Sequence, residues 1–406
     1  MKDLPEAAAL VVAAAAPLET ERVPLREAAG RIAAEEGRSA VDLPPFDRSA
    51  MDGYAVRAAD TGAGTLRLAG EVAAGETSTV TLKAGTAMGI NTGAAIPPGA
   101  DAVLQSELAE VADGSVRATR PVPAGAHIRV RGEDVHAGDL IAPAGEPLTL
   151  ARVSSLAAAG VAEMVVHRRA RLHILVTGSE LLPLGAPPEP GKIHESNGLM
   201  VRLLAERAGA EVIDHGVIGD DFESTRAAVE TGLAGDVLVV SGGVSVGPHD
   251  HVKPAFEACG VEEVFWRVRV KPGKPLWFGR RTQTTSSSGI SRPTLVFGLP
   301  GNPLSSIVGF LAFIEPALRR LHGERDAAMR TEPARLTEAA GPSDGRTTFL
   351  TSRLRRGADG VLEATPTANQ GSHLTGALGQ SDGFAIAPHG SGPLPAGAMV
   401  DAVRFA

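Results

Sequence analysis

Residues 236–240 read Asp-Val-Leu-Val-Val and run straight into Ser241-Gly242-Gly243-Val244-Ser245-Val246-Gly247-Pro248-His249-Asp250. A short continuous apolar run bounded by turn signals predicts a buried parallel strand. Where such a strand opens through glycines into a helix, the first backbone N–H groups of the helix are left facing outward and its dipole favours negative charge there. The segment is therefore expected to be an anion-binding turn, with Asp250 just beyond it. Two turns of similar character follow, Lys271-Pro272-Gly273-Lys274-Pro275 and Gly298-Leu299-Pro300-Gly301-Asn302-Pro303. Around them the pattern alternates. Strands are expected at 172–176, 212–217, 237–240 and 295–297, with helices at 197–208 (capped by Ser196 or Asn197), 223–233 and 303–321. Such alternation predicts a doubly wound parallel sheet, in which ligands bind at the carboxyl ends of the strands. All three glycine turns fall at that edge. The polar stretch at 282–289 is expected to be a loop.

A chain of 406 residues is too long for one core, and two to four domains are expected. The fold class is multidomain α/β plus β, with the doubly wound domain at 169–325. Two helices near the N-terminus and a third at 150–159, predicted to pack on them, outline an N-terminal domain from 1–48 and 128–168. Short Gly- and Pro-bounded strands at 49–127 predict a small inserted β domain, and similar punctuation at 330–406 predicts a C-terminal β-barrel. Only 3% of residues are aromatic, so the cores must rest on Ala, Val, Leu and Ile. A net charge of −8 speaks against nucleic acid as a partner. The alanine-rich run at 7–16 lacks the basic flank of a signal peptide, and no run is long enough to span a membrane. The single cysteine, Cys259, permits neither a disulfide framework nor a cysteine zinc site, and fits a reducing, cytoplasmic setting.

Lys271 and Lys274 flank Pro272-Gly273, so two ammonium groups stand on one stiff turn. Alone they read as solvated surface lysines; beside two other anion turns they suit a compact dianion. Glu180, Asp220, Asp221 and Asp250 lie near predicted strand ends. Asp221 reads equally well as a helix N-cap. Carboxylates facing phosphate-binding turns would repel the ligand without a cation, and Mg²⁺ takes one or two carboxylates plus substrate phosphates. His249 and His251 flank Asp250 and read as exposed loop residues. Phe46-Asp47-Arg48-Ser49-Ala50-Met51-Asp52-Gly53-Tyr54-Ala55 is too dense in reactive side chains for a simple hinge, and it holds the chain's one tyrosine.

Together with Asn91-Thr92-Gly93-Ala94, Arg131-Gly132-Glu133-Asp134, Thr177-Gly178-Ser179-Glu180-Leu181 and Asn369-Gln370-Gly371-Ser372-His373, these segments resemble the molybdopterin molybdenumtransferase family, which includes the C-terminal domain of gephyrin. The resemblance implies a molybdopterin-binding α/β domain and an elongated homodimer with the active site at the subunit boundary. It implies insertion of molybdenum from molybdate into adenylylated molybdopterin, with release of AMP, a requirement for Mg²⁺, and transient contact with other molybdopterin-handling enzymes. Lys271, Lys274, Ser305, Arg346 and Ser372 would hold molybdate. Gly242, Gly243, Ser245 and Gly247 would take the pterin or phosphate end of the ligand, and Pro300 and Pro303 would fix the last turn. Glu180, Asp220 and Asp250 match acidic positions that would serve catalysis and metal binding. Asp52, Thr92 and Asp134 match functional positions, with Asp52 and Thr92 reaching the site from the partner subunit. Ser179 stands where the family commonly has aspartate, Glu195 where aspartate is usual, and Arg267 where lysine is common. Molybdopterin adenylyltransferase and a non-catalytic scaffold are the alternatives, and tungstate cannot be told from molybdate by sequence.

Overall fold

A computed structural model describes residues 1–62, 64–244, 250–282 and 292–405. At its centre lies a six-stranded sheet in the order Glu211–Ile218, Arg171–Thr177, Val237–Ser241, Pro293–Leu299, Trp277–Thr282, Glu262–Trp266. The first four strands are parallel, and Trp277–Thr282 runs antiparallel to both of its neighbours. Every residue of Val237–Ser241 is buried, as expected for a strand covered on both faces. One face packs on helices Asn197–Arg207 and Pro303–Gly309 and the segments that follow the latter. The other packs on Phe222–Gly232 and Val252–Ala258. The sheet is thus doubly wound. The expected 282–289 loop lies, beyond Thr282, outside the described residues.

The long helix expected over 303–321 is interrupted. Pro303–Gly309 passes through a π-helical turn, Phe310–Ile314, into Glu315–Leu321. Pro316 has no amide hydrogen, and its ring crowds the carbonyl four residues back, at Ala312, which widens the turn there.

The N-terminal helix Leu4–Ala14 buries Ala7 and Val11 in the core of this α/β body, alongside Leu172, Phe297 and Phe310. Helix Leu150–Ala158 therefore packs on the second N-terminal helix and not on the first. Its Leu156 shares a small core with Leu25 and Ala28. That second helix, expected from the sequence over 25–34, is a single turn at Leu25–Ala28, with Gly30 at φ 77° turning the chain away. Thr20–Pro24 pairs with Glu163–His167, Gly37–Arg38 with Leu140–Ala142, and Arg48–Ser49 with Ile128–Arg129. These pairings zip the two flanking segments together and leave the stretch between them as an insertion. The insertion carries its own six-stranded sheet, built from strands between Gly53 and Ala118.

In the C-terminal region Thr347–Arg356 pairs with both Leu362–Pro366 and Gly383–Ala387. Glu332–Leu336 and Met399–Arg404 complete the circuit, so five strands close into a barrel with no free edge between them. A two-residue strand of the α/β region, Val270–Lys271, adds in parallel to the barrel strand Thr347–Arg356. No helix among the described residues is long and apolar enough to cross a membrane.

Candidate active site

Val176 and Ser241 are register partners, as are Ser241 and Leu299, so three parallel strands end level with one another. Just beyond their carboxyl ends is a cavity of about 520 Å³, walled by Thr177, Glu180, Ser241, Asn197, Gly301, Asn302 and Pro303, with His373 and Thr375 supplied by the barrel region. The glycine turn leaves directly from its wall residue Ser241. Gly242 has φ 99° and donates its N–H to Leu299 O at 3.0 Å. A Cβ there would lie 2.6 Å from Thr177 O, and one on Gly243 (φ 64°) 2.5 Å from the Val252 side chain. Only glycine lets the two backbones approach this closely. Ser245 and Gly247, expected to continue the turn, lie outside the described residues.

The lysine turn is held from two sides. Val270 pairs with Thr347 and Lys271 with Thr348, and Thr347 N–H donates to Arg269 O at 2.9 Å. The Lys271–Pro272 peptide is cis, and Gly273 has φ 108°. A Cβ on Gly273 would sit 3.6 Å from Ser305 O, so the turn lies against the first turn of helix Pro303–Gly309. Lys271 Nζ contacts Asp344 Oδ2 at 3.3 Å, whereas Lys274 is exposed and has no ion-pair partner among the described residues. Arg346 immediately precedes the barrel strand that Lys271 joins, with its N–H on Ser343 O at 3.0 Å.

Pro300, Pro303, Ser305 and Ser372 meet at the same seam. Asn302 Nδ2 donates to Ser372 Oγ at 3.1 Å, and Leu304 N–H to Ser372 O at 3.3 Å. Ser305 is buried, and the buried Ser306 hydroxyl donates to Pro300 O at 2.9 Å. Lysine turn, proline turn and the Ser372 loop are thereby fastened at one junction of α/β region and barrel.

Of the acidic residues, Glu180 lines the cavity, and its carbonyl accepts from Ile193 N–H at 2.9 Å. Asp220 is exposed beyond strand Glu211–Ile218. Its neighbour Asp221 caps helix Phe222–Gly232, accepting Ser224 N–H at 2.9 Å, and that bond holds its carboxyl below the usual range. Asp250 precedes helix Val252–Ala258 and shares an electrostatic neighbourhood with Lys253. Lys253 Nζ sits 3.4 Å from the Trp266 ring centroid, and the Arg267 guanidinium 4.0 Å from it. Among the described residues no three His, Cys, Asp or Glu side chains come together as a metal cluster, and Glu180, Asp220 and Asp250 do not form one.

Three expected residues stand apart from the cavity. Asp52 Oδ1 accepts the Thr92 N–H at 2.7 Å in the inserted domain, and that bond, with the Thr92 hydroxyl, keeps its carboxyl below the ordinary value. Asp134 lines a separate groove with Pro44, Arg48 and Arg129.

Two cavity features went beyond the sequence reading. Asn197 is buried; its Nδ2 donates to Gly301 O at 2.7 Å and Ser241 Oγ at 3.3 Å, while its Oδ1 has no partner among the described residues. A buried acceptor without a partner is costly, so this oxygen is poised for a donor on a ligand or water. Ser196 holds the N-cap position, as expected, but the capping bond comes from Glu195, whose Oε1 accepts Gly198 N–H at 2.6 Å. The longer side chain at this position thus has a local use, and the cap frees Asn197 to face inward. Only the packing of helix Asn197–Arg207 on the sheet brings Asn197 beside Ser241, so spacing along the chain carried no signal for it.

Three family models match the chain: the MoeA N-terminal region (domain I and II) over residues 2–160, a probable molybdopterin binding domain over 173–320, and the MoeA C-terminal region (domain IV) over 333–405. A molybdopterin molybdenumtransferase of Haemophilus influenzae is 35% identical over 395 residues, covering 96% of this chain and 95% of that protein. Molybdopterin molybdenumtransferase 2 of Mycobacterium tuberculosis is 36% identical over 361 residues, 86% of each chain. The fold is similar to the crystal structure of the molybdopterin biosynthesis moeA protein of Pyrococcus horikoshii OT3, with a TM-score of 0.82, 29% identity and the whole of both chains covered.

Proposed function

The chain belongs to the molybdopterin molybdenumtransferase family, and on that premise we propose that it inserts molybdenum from molybdate into adenylylated molybdopterin, releasing AMP and yielding molybdenum cofactor. The observation that carries this reading is the seam at Val270–Lys271. Pairing with Thr347 and Thr348 fixes the lysine turn against both the Pro303 helix and the barrel. Cations on a rigid turn, beside an opening helix, suit a tetrahedral dianion. Lys271, Lys274, Ser305, Arg346 and Ser372 are the molybdate holders in this proposal. Gly242, Gly243, Ser245 and Gly247, with the open Asn197 Oδ1, take the pterin or phosphate end.

Glu180 offers hard oxygen at the cavity wall, and carboxylate donors suit Mg²⁺ when substrate phosphates complete its shell. Asp220 and Asp250 are the further candidate ligands. Bound there, the cation would neutralise phosphate charge as AMP leaves. That Asp52, Thr92 and Asp134 do not line the cavity supports a homodimer in which a partner copy delivers its inserted domain to the site. We assign the protein to the cytoplasm, where a buried lone cysteine stays reduced.

Matches to both flanking regions favour this reaction over adenylyl transfer. The test is AMP release by the pure protein. Adenylylated molybdopterin is expected to yield AMP with molybdate and Mg²⁺ and little without molybdate. Consumption of ATP with molybdopterin, and inertness toward the adenylylated form, would overturn the assignment.

A further inference from the structure

At the opposite edge of the central sheet, before the strands begin, lies a separate cavity of about 190 Å³. Its walls come from both the N-terminal region, through Gly30, Arg31 and His167, and the α/β region, through Arg169, Gly209 and His322. Arg169 precedes strand Arg171–Thr177 and Gly209 precedes Glu211–Ile218, so this cavity and the candidate active site are at opposite ends of the same strands.

His322 is the inner donor. Its Nε2 accepts the Ala170 N–H at 3.0 Å, which places the ring proton of the neutral imidazole on Nδ1. That Nδ1–H has no acceptor among the described residues. A Cβ built on Gly209 would be 3.7 Å from Arg169 Nη1 and 3.9 Å from His322 Nδ1, so the two donors converge over this glycine. Arg169 Nη1 makes one bond, to Gly209 O at 3.0 Å, and has no carboxylate partner among the described residues. The Arg207 guanidinium, on the rim, has neither hydrogen bond nor ion pair there.

The remaining wall charges are mostly spoken for. Arg319 grips Glu324 through two bonds of 2.7 Å, Arg330 adds a third to the same carboxylate, and Arg31 is paired with Glu21. Glu315 is the one wall carboxylate without such a pair and opposes an anion. The arginines outweigh it: burial first, then the fields of Arg31 and Arg169, push the His322 pKa down to about 4. The volume is below the range that encloses drug-sized ligands, which favours a compact ion.

We propose that this cavity is a second anion site, binding a small tetrahedral oxyanion through the His322 Nδ1–H and the guanidiniums of Arg169 and Arg207. The inference is independent of the reaction proposed above.

The test follows the His322 imidazole ¹⁵N resonances in the full-length protein during separate titrations with inorganic phosphate, sulfate and molybdate. A saturable shift is expected, lost in the double variant Arg169→Gln/Arg207→Gln and kept in Lys271→Ala/Lys274→Ala. Both arginines are exposed, so the double variant is expected to fold normally and retain AMP-release activity. Response to phosphate or sulfate assigns a general oxyanion site, and response confined to molybdate assigns a second station for the substrate. No saturable shift up to about 10 mM of any anion overturns the proposal. So does a shift that survives the arginine double variant or disappears with the lysines.

Discussion

Lys274 and Lys271 are chemically alike but differently placed. Lys271 leans on Asp344 at 3.3 Å, while Lys274 has no carboxylate beside it among the described residues and keeps its full charge for a ligand. A hydrogen bond to a charged group contributes about 1.5–3 kcal/mol, so Lys274→Ala is expected to raise the KM for molybdate about tenfold or more in steady-state assays. An unchanged KM would remove Lys274 from the site. The lysine turn was legible because proline and glycine between two lysines are a local signal. Asn197 was not, because its partners Ser241 and Gly301 lie 44 and 104 residues further along the chain. Asp221 could be read from sequence as cap or ligand, and only the Ser224 N–H on its carboxylate makes it a cap.

The strands and their glycine turns were read directly, since a wholly buried parallel strand leaves an apolar run and its exit demands unusual φ. The cost of losing that exit can be measured. Gly242→Ala puts a Cβ 2.6 Å from Thr177 O at a backbone φ of 99°. A strained backbone position costs about 1–3 kcal/mol, and backbone does not move aside cheaply. Gly301, in the neighbouring turn, has nothing within 4 Å of a built Cβ. Urea unfolding should therefore show Gly242→Ala destabilised by about 2 kcal/mol or more and Gly301→Ala changed by less than about 0.5 kcal/mol. Equal effects would mean that the Thr177 contact does not govern the turn. The π turn at Phe310–Ile314 escaped the sequence because the flanking apolar pattern is helical throughout; only Pro316 marks the disturbance.

The assembled molecule explains why the candidate site is dispersed along the chain. Lys271 and Thr348 become neighbours through two residue pairs of strand, a contact no local pattern announces. Helix Leu4–Ala14, assigned by sequence order to the first domain, instead completes the α/β core through Ala7 and Val11. Asp52 and Thr92 hold one another in the inserted domain and do not line the cavity, which is intelligible if the working unit has two copies of the chain. Mixing Asp52→Ala with the double variant Lys271→Ala/Lys274→Ala, each expected to be inactive alone, tests this. Random exchange of subunits would leave roughly a quarter of the sites intact, so about that share of wild-type AMP release should return. No recovery, with exchange verified, would show that Asp52 and the lysines act within one chain.

In the proposed reading the lysine turn, the proline turn and the edge of the barrel receive a doubly charged oxyanion, and molybdenum's anomalous scattering can locate that guest directly. In a crystal soaked with molybdate and measured at the molybdenum edge, a peak is expected between Lys271, Lys274, Arg346 and Ser372, at the start of helix Pro303–Gly309. Anomalous density elsewhere, with that junction vacant at saturating molybdate, would mean that these turns are not where the metal enters.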